Sequence, residues 1–337
     1  MRPFDYDRPD AVAGAIAGKA EGIHFLGGGT NLLDLMKYDV ERPTRLVDLS
    51  RLDALRQIGA RDGGGLRIGA LVTNAAAARH AEVEKRYPLL ASAILAGATP
   101  QLRNMATMGG NLLQRTRCYY FYDRQTPCNK REPGTGCPAI SGVNRIHAVL
   151  GTSPSCIATH PSDMCVALAA LEAEVVVQGP GGERRIPMAA FHRLPGDTPE
   201  RDTTLGEDEL IIAIDLPVRE AGNHYTYLKL RDRLSYAFAL VSVAVQMEVK
   251  AGVVSRVRVA LGGVAHKPWR LPEAEALLEG QPPEEARFQA VADALLQGAI
   301  PRQHNGFKID LARLAIPRAL HQAASAMPQS HTDKRIK

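Results

Sequence analysis

A mixed chain of helices and strands in two domains, with one long irregular insertion, is what these 337 residues predict. Three features carry that expectation. Through the first 220 residues, short apolar runs, glycine turns and helix-periodic segments alternate. From residue 224 the texture changes to β period, and helices then dominate to the end. Within the first part, from Arg115 to about Ala158, neither period is sustained, and loops of that length are usually functional or disordered.

The elements follow from local pattern. Residues 10–19 are alanine-rich and read as a first helix. "IHFLGGGTNLLDLMK" is strand, glycine loop, helix. "TRLVDLS" is a strand. "GGLRIGALVTNAAAARH" is a turn, a strand and a helix opening at Thr73 or Asn74, both good caps. "YPLLASAILAGATPQLRNMATMGGNLLQ" is a helix broken at Gly97 and Pro100 and ended by a second glycine turn, Gly109-Gly110-Asn111. "HPSDMCVALAALEAEVVVQ" is a helix from about Ser162 and then a strand, and "ELIIAIDLPV" is a strand ended by Pro217. Residues 224–266 hold two or three antiparallel strands with Gly252 at a turn. Helices fill 271–326, and the polar tail 327–337 is expected to fray. The domains are therefore 1–220, with the insertion at about 115–158, and 221–326.

Composition narrows the function. Apolar residues make up 45% and charged residues 23%, as in globular proteins. The net charge of +5 is spread along the chain without a basic block, so nucleic acid is not an expected partner. No apolar stretch reaches the roughly 18 residues that span a bilayer. The first twenty residues lack a basic segment followed by a long apolar one, so the chain is expected to carry no signal peptide of its own. Export would then require a partner that carries the signal.

Gly27-Gly28-Gly29-Thr30-Asn31 sits between a strand and a helix, where unpaired N–H groups and the helix dipole favour phosphate. The competing reading is a tight turn that needs positive φ. Asp48 lies about 20 residues on, as in a dinucleotide fingerprint. Leu32, however, stands where the third glycine should be, and the Walker lysine is missing. A second loop, Thr107 to Asn111, would approach the same diphosphate. Two such loops suit a large extended ligand such as a dinucleotide.

Four of the five cysteines, Cys118, Cys128, Cys137 and Cys156, are separated by nine, eight and eighteen residues. The odd total and the clustering argue against a disulfide framework. The spacing is neither that of structural zinc nor that of ferredoxins. Scattered reduced thiols and a thiolate-held metal remain the two readings, and a metal would replace the core this stretch lacks. Cys165 lies on an apolar helix and reads as a buried structural thiol. Asp163 fits the first turn of that helix as a complement to its dipole. Lys229 reads as a solvated position on a strand, and His266 as a packed loop histidine. No hydrolytic constellation is visible.

"FLGGGTNLLDLMK", "RNMATMGGNLLQRTRC", "HPSDM", "ELIIAIDLP", "SYAFALVSVAV" and "GGVAHKPWR" together resemble the FAD-binding subunit of molybdenum hydroxylases, the family of xanthine dehydrogenase, carbon monoxide dehydrogenase and aldehyde oxidoreductase medium subunits. The likeness runs from Phe4 to about Ala323. Through "LLQRTRC", "PCNKR" and "IATHPSDM" the insertion is similar to that of periplasmic aldehyde oxidoreductases. The 4-hydroxybenzoyl-CoA reductase flavoprotein carries a comparable extra [4Fe-4S] cluster.

The resemblance implies an α+β fold: a p-cresol methylhydroxylase-type FAD-binding domain of two α+β lobes over 1–220, then a smaller C-terminal α+β domain with an antiparallel sheet and helices. It implies that Leu26, Gly27, Gly28, Gly29, Thr30, Asn31, Leu32, Leu33 and Asp34 wrap the FAD diphosphate. Thr107, Met108, Gly109, Gly110 and Asn111 would make the second diphosphate loop. Asp163 would accept a hydrogen bond from a cofactor hydroxyl, Ile211 would lie against the cofactor, and Lys229 would sit near the flavin. Tyr236 would shield the ring, and no residue is assigned a catalytic role. Cys118, Cys128, Cys137 and Cys156 would hold a [4Fe-4S] cluster.

The implied role is electron transfer in a heterotrimer. A molybdenum-cofactor large subunit oxidises an aldehyde, and electrons pass through a small subunit's [2Fe-2S] clusters to FAD and on to an external acceptor. The implied address is the periplasm, by co-export with a twin-arginine signal on a partner; the cytoplasm is the alternative. A purine, an aromatic acyl-CoA or carbon monoxide is the alternative substrate, and a non-catalytic metal-binding scaffold is the alternative from another class.

Overall fold

In the computed structural model, which describes residues 1–219, 222–330 and 333, the first lobe is built on a small parallel sheet. Its elements are β1 (Asp5–Asp7), α1 (Val12–Ala17), β2 (Ile23–Leu26), α2 (Leu32–Lys37) and β3 (Arg45–Asp48). The strand order is β1-β3-β2, and both pairings are parallel. Ala15, Ile16, Ile23, Val47 and Leu49 close its core. The chain leaves the carboxyl end of β2 straight into the first glycine loop. That end of a parallel strand is where open α/β sheets bind ligands.

The second lobe comprises β4 (Ile58–Ala60), β5 (Leu66–Gly69), α3 (Asn74–Arg79), α4 (Ala81–Arg86), α5 (Pro88–Ala96), α6 (Pro100–Met105) and α7 (Met108–Leu112). After the insertion, with its single turn α8 (Tyr119–Tyr122), come α9 (Asp163–Ala170), β6 (Glu174–Gly179), β7 (Gly182–Pro187), α10 (Met188–Phe191) and β8 (Leu210–Leu216). The sheet is antiparallel with order β4-β5-β8-β6-β7. Helices α5 and α9 are buried along nearly their whole length.

The last unit comprises β9 (Tyr225–Leu230), β10 (Val241–Lys250), β11 (Val253–Gly262), α11 (Pro272–Glu275), α12 (Glu285–Leu296) and α13 (Phe307–Ala324). Its sheet is an antiparallel meander, β11-β10-β9, turned at Ala251-Gly252 with both φ positive. Both faces are covered. Tyr227, Ala244 and Ala260 join the core of the second lobe, while Leu228, Val243, Val245 and Val259 pack with α12 and α13.

Several expectations change. The first helix is shorter than 10–19, and the glycine turn at 109–111 is instead helix α7. Strands β1, β4 and β7 and helices α4 and α10 carry too little pattern to be foreseen. The insertion is not structureless: besides α8 it has a 3-10 turn at Pro138–Ile140 and its own small core. Lys229 is not on a solvated face, because α5 and α9 cover it; its side chain is 3% exposed. The domain boundary at 220–221 and the tail at 331–332 and 334–337 lie outside the described residues.

Candidate functional site

Leaving β2, the backbone N–H groups of Gly27, Gly28, Gly29, Thr30 and Asn31 have no acceptor among the described residues. Gly29 has φ +71°, which returns the chain into α2, where Leu33 N–H reaches the Gly29 carbonyl at 3.2 Å. Gly28 is glycine because a Cβ there would sit 1.8 Å from the Met105 carbonyl oxygen. Asn31 precedes α2 but makes no capping bond. Its Oδ1 accepts from Arg115 N–H at 2.9 Å, which turns Nδ2 inward as a buried donor with no partner among the described residues. Five free N–H groups and an orphaned amide fit a diphosphate, which offers only acceptors. Of the flanking residues, Leu26 and Leu32 are partly buried, and Asp34 is exposed and accepts from Tyr122 OH at 3.4 Å.

The second loop lies directly behind the first. Thr107 Oγ1 caps α7 through Gly110 N–H at 3.1 Å, and it would be 2.9 Å from a Cβ on Gly27. Met108 N–H donates to the Val72 carbonyl, Gly109 N–H to the Ala70 carbonyl and Asn111 N–H to the Thr107 carbonyl. These donors are therefore spent within the chain, and Thr107 is what the loop turns toward Gly27. Asn111 is a hub: Nδ2 donates to Asn74 Oδ1, and Oδ1 accepts from Gln114 Nε2 and from Ser162 Oγ at 2.6 Å.

Ser162 caps α9 and places Asp163 next to it. Asp163 is buried: Oδ1 accepts from Tyr227 OH at 2.6 Å and Oδ2 from Lys229 Nζ at 2.7 Å. Lys229 also donates to the Ala96 carbonyl. Burial, then the Asp163 charge, pushes the Tyr227 hydroxyl far above its ordinary value, so it stays a donor. Ile211, 4% exposed, lies opposite Val177 where the ladder shifts register. Its neighbour Ile212 accepts from Ala70 N–H, the residue whose carbonyl holds Gly109. The two glycine loops, Asp163 and Lys229 thus form one connected wall, with Ile211 at its edge. Tyr236 stands apart, exposed at φ +51° in the β9–β10 loop, with the Arg233 guanidinium 5.6 Å from its ring.

All five cysteines are free thiols. Cys118, Cys128, Cys137 and Cys156 converge on one cavity, with Thr116, Lys130 and His147 also in its wall. The His147 ring nitrogen Nε2 lies 3.0 Å from Cys118 Sγ, and Ala158 N–H donates to Cys156 Sγ at 3.4 Å. Burial pushes the Cys118 thiol up to about 12. A hydrogen bond with Cys156 lowers Cys137, and the same bond, then burial, pushes Cys156 up to about 12. Thiols raised in this way, as at Cys118 and Cys156, deprotonate only beside a strong positive charge, which a metal centre supplies. Four soft donors plus N–H groups aimed at sulfur fit an iron–sulfur cluster.

Sequence reasoning missed the charges that anchor this insertion. Lys130, 1% exposed, reaches Asp202 Oδ1 at 2.5 Å and the Pro199 carbonyl. Arg115 reaches Glu41 Oε1 at 2.5 Å and Asp202 Oδ2 at 2.7 Å. Burial opposes the Asp202 charge, but Lys130, Arg115 and His266 outweigh it and hold the carboxyl well below its usual range. No local pattern marks Asp202, because its partners are far away in sequence. His160, Cys165 and His192 form another close group, with possible ligand atoms within 4.8 Å of one another. Cys165 is fully buried, as its apolar helix suggests.

Comparison with known proteins shows the family. The family described as the FAD binding domain in molybdopterin dehydrogenase matches residues 2–219, and the CO dehydrogenase flavoprotein C-terminal domain matches 225–323. The aldehyde oxidoreductase FAD-binding subunit PaoB of Escherichia coli is 50% identical over 326 residues, 96% of this chain and 99% of that protein. The carbon monoxide dehydrogenase medium chain of Hydrogenophaga pseudoflava is 28% identical over 95% of this chain and 96% of that one. The solved carbon monoxide dehydrogenase from Hydrogenophaga pseudoflava that lacks the Mo-pyranopterin moiety of its cofactor aligns at a TM-score of 0.76 and 29% identity, covering 97% of this chain and 99% of that one. Quinoline 2-oxidoreductase from Pseudomonas putida 86 shares the fold at a TM-score of 0.74 and 23% identity, over 97% and 99%. From the free donors of its glycine loop to its full-length relatives, the chain belongs to the family of FAD-binding medium subunits of molybdenum hydroxylases.

Proposed function

We propose that the chain is the FAD- and [4Fe-4S]-carrying electron-transfer subunit of a molybdenum-dependent aldehyde oxidoreductase, assembled with a molybdenum-cofactor large subunit and a [2Fe-2S] small subunit. The observation that carries this reading is the four-cysteine cavity built directly onto the dinucleotide loop of a flavin subunit. The 50% identity to an aldehyde oxidoreductase FAD-binding subunit supports the substrate class.

Bound flavin supplies the capacity to accept electrons singly and release them singly or in pairs. The chain's own work is placement. Gly27 to Asn31 donate their N–H groups to the diphosphate, and Thr107 and the Asn31 amide complete that contact. Asp163, fixed by Tyr227 and Lys229, accepts from a cofactor hydroxyl. Ile211 would pack against the cofactor, Lys229 would lie near the flavin, and Tyr236 would shield its ring. Cys118, Cys128, Cys137 and Cys156 hold the cluster, with His147 beside the Cys118 sulfur.

No helix among the described residues is long and apolar enough to cross a membrane. A periplasmic address would follow from export with a twin-arginine-bearing partner.

The test is the absorption spectrum and metal content of the purified complex. Flavin bands, a broad iron–sulfur shoulder and four irons per chain beyond those of the small subunit are expected. Flavin without the additional iron would end the cluster assignment. In Cys128→Ser, loss of that iron with turnover and flavin intact would mean that electrons do not use the cluster. Recovery of the complex from cytosol alone would overturn the periplasmic address.

A further inference from the structure

We infer that Arg115 is a positioning residue that couples the four-cysteine insertion to the dinucleotide loop, so that a filled cysteine site tightens flavin binding and bound flavin holds the cysteine site together. This rests on the reading of the two sites given above, and it concerns the link between them.

The link is continuous. Arg115 opens the insertion. Its backbone N–H holds Asn31 Oδ1 at 2.9 Å. Because a backbone N–H can only donate, the Asn31 amide is fixed with its oxygen on Arg115 and its NH2 toward the loop, where that group is buried and unpartnered among the described residues. The Arg115 backbone is held in turn by its side chain. The guanidinium spans Glu41 and Asp202 and lies 5.1 Å from the centre of the Phe121 ring. Asp202 is shared with Lys130, which lines the same cavity as the four cysteines. Phe121 belongs to the small core made by Cys118, Cys128 and Cys156. That core also contains Leu35 of α2, the helix that starts at the glycine loop.

The insertion's apolar core is small, and such a segment relies on its metal centre for order. When the cysteine site empties, Phe121 and Lys130 lose their fixed positions. Arg115 then has less to hold it, and the Asn31 amide is free to rotate. Flavin must then order that amide on binding, which lowers affinity. Linkage requires the reverse effect to be equal: flavin must protect the cysteine site by the same factor.

The experiment uses the full chain with FAD removed, titrated with FAD by flavin fluorescence, with its iron present or stripped by a chelator under anaerobic conditions. Iron-loaded wild type is expected to bind FAD about tenfold more tightly than the stripped form, within the usual range of such couplings. Arg115→Gln is expected to bind FAD weakly and equally in both states while retaining its iron. Arg115→Lys, which keeps one charged contact, should recover part of the difference. Chelator should remove iron more slowly from FAD-bound wild type than from the FAD-free form, and at one rate with or without FAD in Arg115→Gln. Equal FAD affinity in the two wild-type states, or undiminished coupling in Arg115→Gln, would overturn the inference.

If Arg115→Gln does not fold, Lys130→Met tests the other end of the relay by the same two readouts and the same criteria. If wild type binds FAD but never holds iron, the cluster reading is what fails. Unchanged FAD affinity in Arg115→Gln would then also remove Arg115 as the residue that positions Asn31.

Discussion

Asp163 and Lys229 show how much a single buried contact determines. Each is nearly sealed from solvent, and the carboxylate divides its oxygens between an ammonium and a tyrosine hydroxyl. Removing one charge strands the other in a low-dielectric site, typically at a cost of about 3–5 kcal/mol. Asp163→Asn should therefore lower the urea midpoint sharply and reduce flavin content. Asp163→Asn combined with Lys229→Met should regain part of the stability, because no ammonium is left unpaired, but not the flavin. A double variant no more stable than Asp163→Asn would show that the loss arises elsewhere. The place of Asp163 in the first turn of a helix was legible in the sequence. The surroundings of Lys229 were not, because alternation along a strand tells which residues share a face and not what covers that face. Burial of Lys229 comes from α5 and α9, more than fifty residues away in the chain.

At the level of elements, α7 is the instructive case. Two glycines in five residues argue for a turn, since glycine is the poorest ordinary helix former. Helix α7 forms because Thr107 caps it, Met108 and Gly109 donate to the chain at Val72 and Ala70, and Leu112 is fully buried. Its glycines serve close packing: a Cβ on Gly109 would come within 3.1 Å of the Ala70 Cβ. Thr107→Val keeps the shape and removes the cap, which is worth about 1 kcal/mol. It also removes the hydroxyl beside Gly27. The variant should lose about that much stability by urea titration and bind FAD more weakly, while Thr107→Ser should keep both properties. Equal FAD affinity for the valine and serine variants would show that the hydroxyl has no contact with the cofactor. Period-based reading found β2, β3, β5, β6, β8 and the meander, all of which bury an apolar face. It missed β7, "GERRIP", because only its Ile186 is buried.

Across the whole molecule, the insertion is stitched to both domains, and the stitches join residues far apart in sequence. That is why the grouping of four cysteines, which line one cavity, was legible in the sequence but not the lysines, acids and amides around them. On the side of the C-terminal domain, Asn144 and Asn305 are fully buried and bind the backbone around residues 139–148 and 304. Beside them Lys308, also fully buried, donates to the carbonyls of Ile146, His147 and Gly263. Burial, then the charge of Arg145, lowers Lys308 from 10.5 to about 7. His147, whose backbone carbonyl accepts from Lys308 and whose ring lies against Cys118, is held at about 4 by burial and then by Lys308, so it is neutral throughout the range above pH 6. Between pH 7 and about 10 the unfolded chain binds a proton on Lys308 that the folded chain does not. Stability attributable to this group must therefore rise with pH in that window, by at most about 1.4 kcal/mol per unit. Below pH 7 both states carry the proton and the contribution is flat. Lys308→Met removes the titration, so the urea midpoint of wild type relative to this variant should climb from pH 7 to 9.5 and stay level from pH 6 to 6.5. Parallel midpoints across the upper window would mean that the ammonium keeps its proton against the three carbonyls, and that the seam between insertion and C-terminal domain does not respond to pH through Lys308.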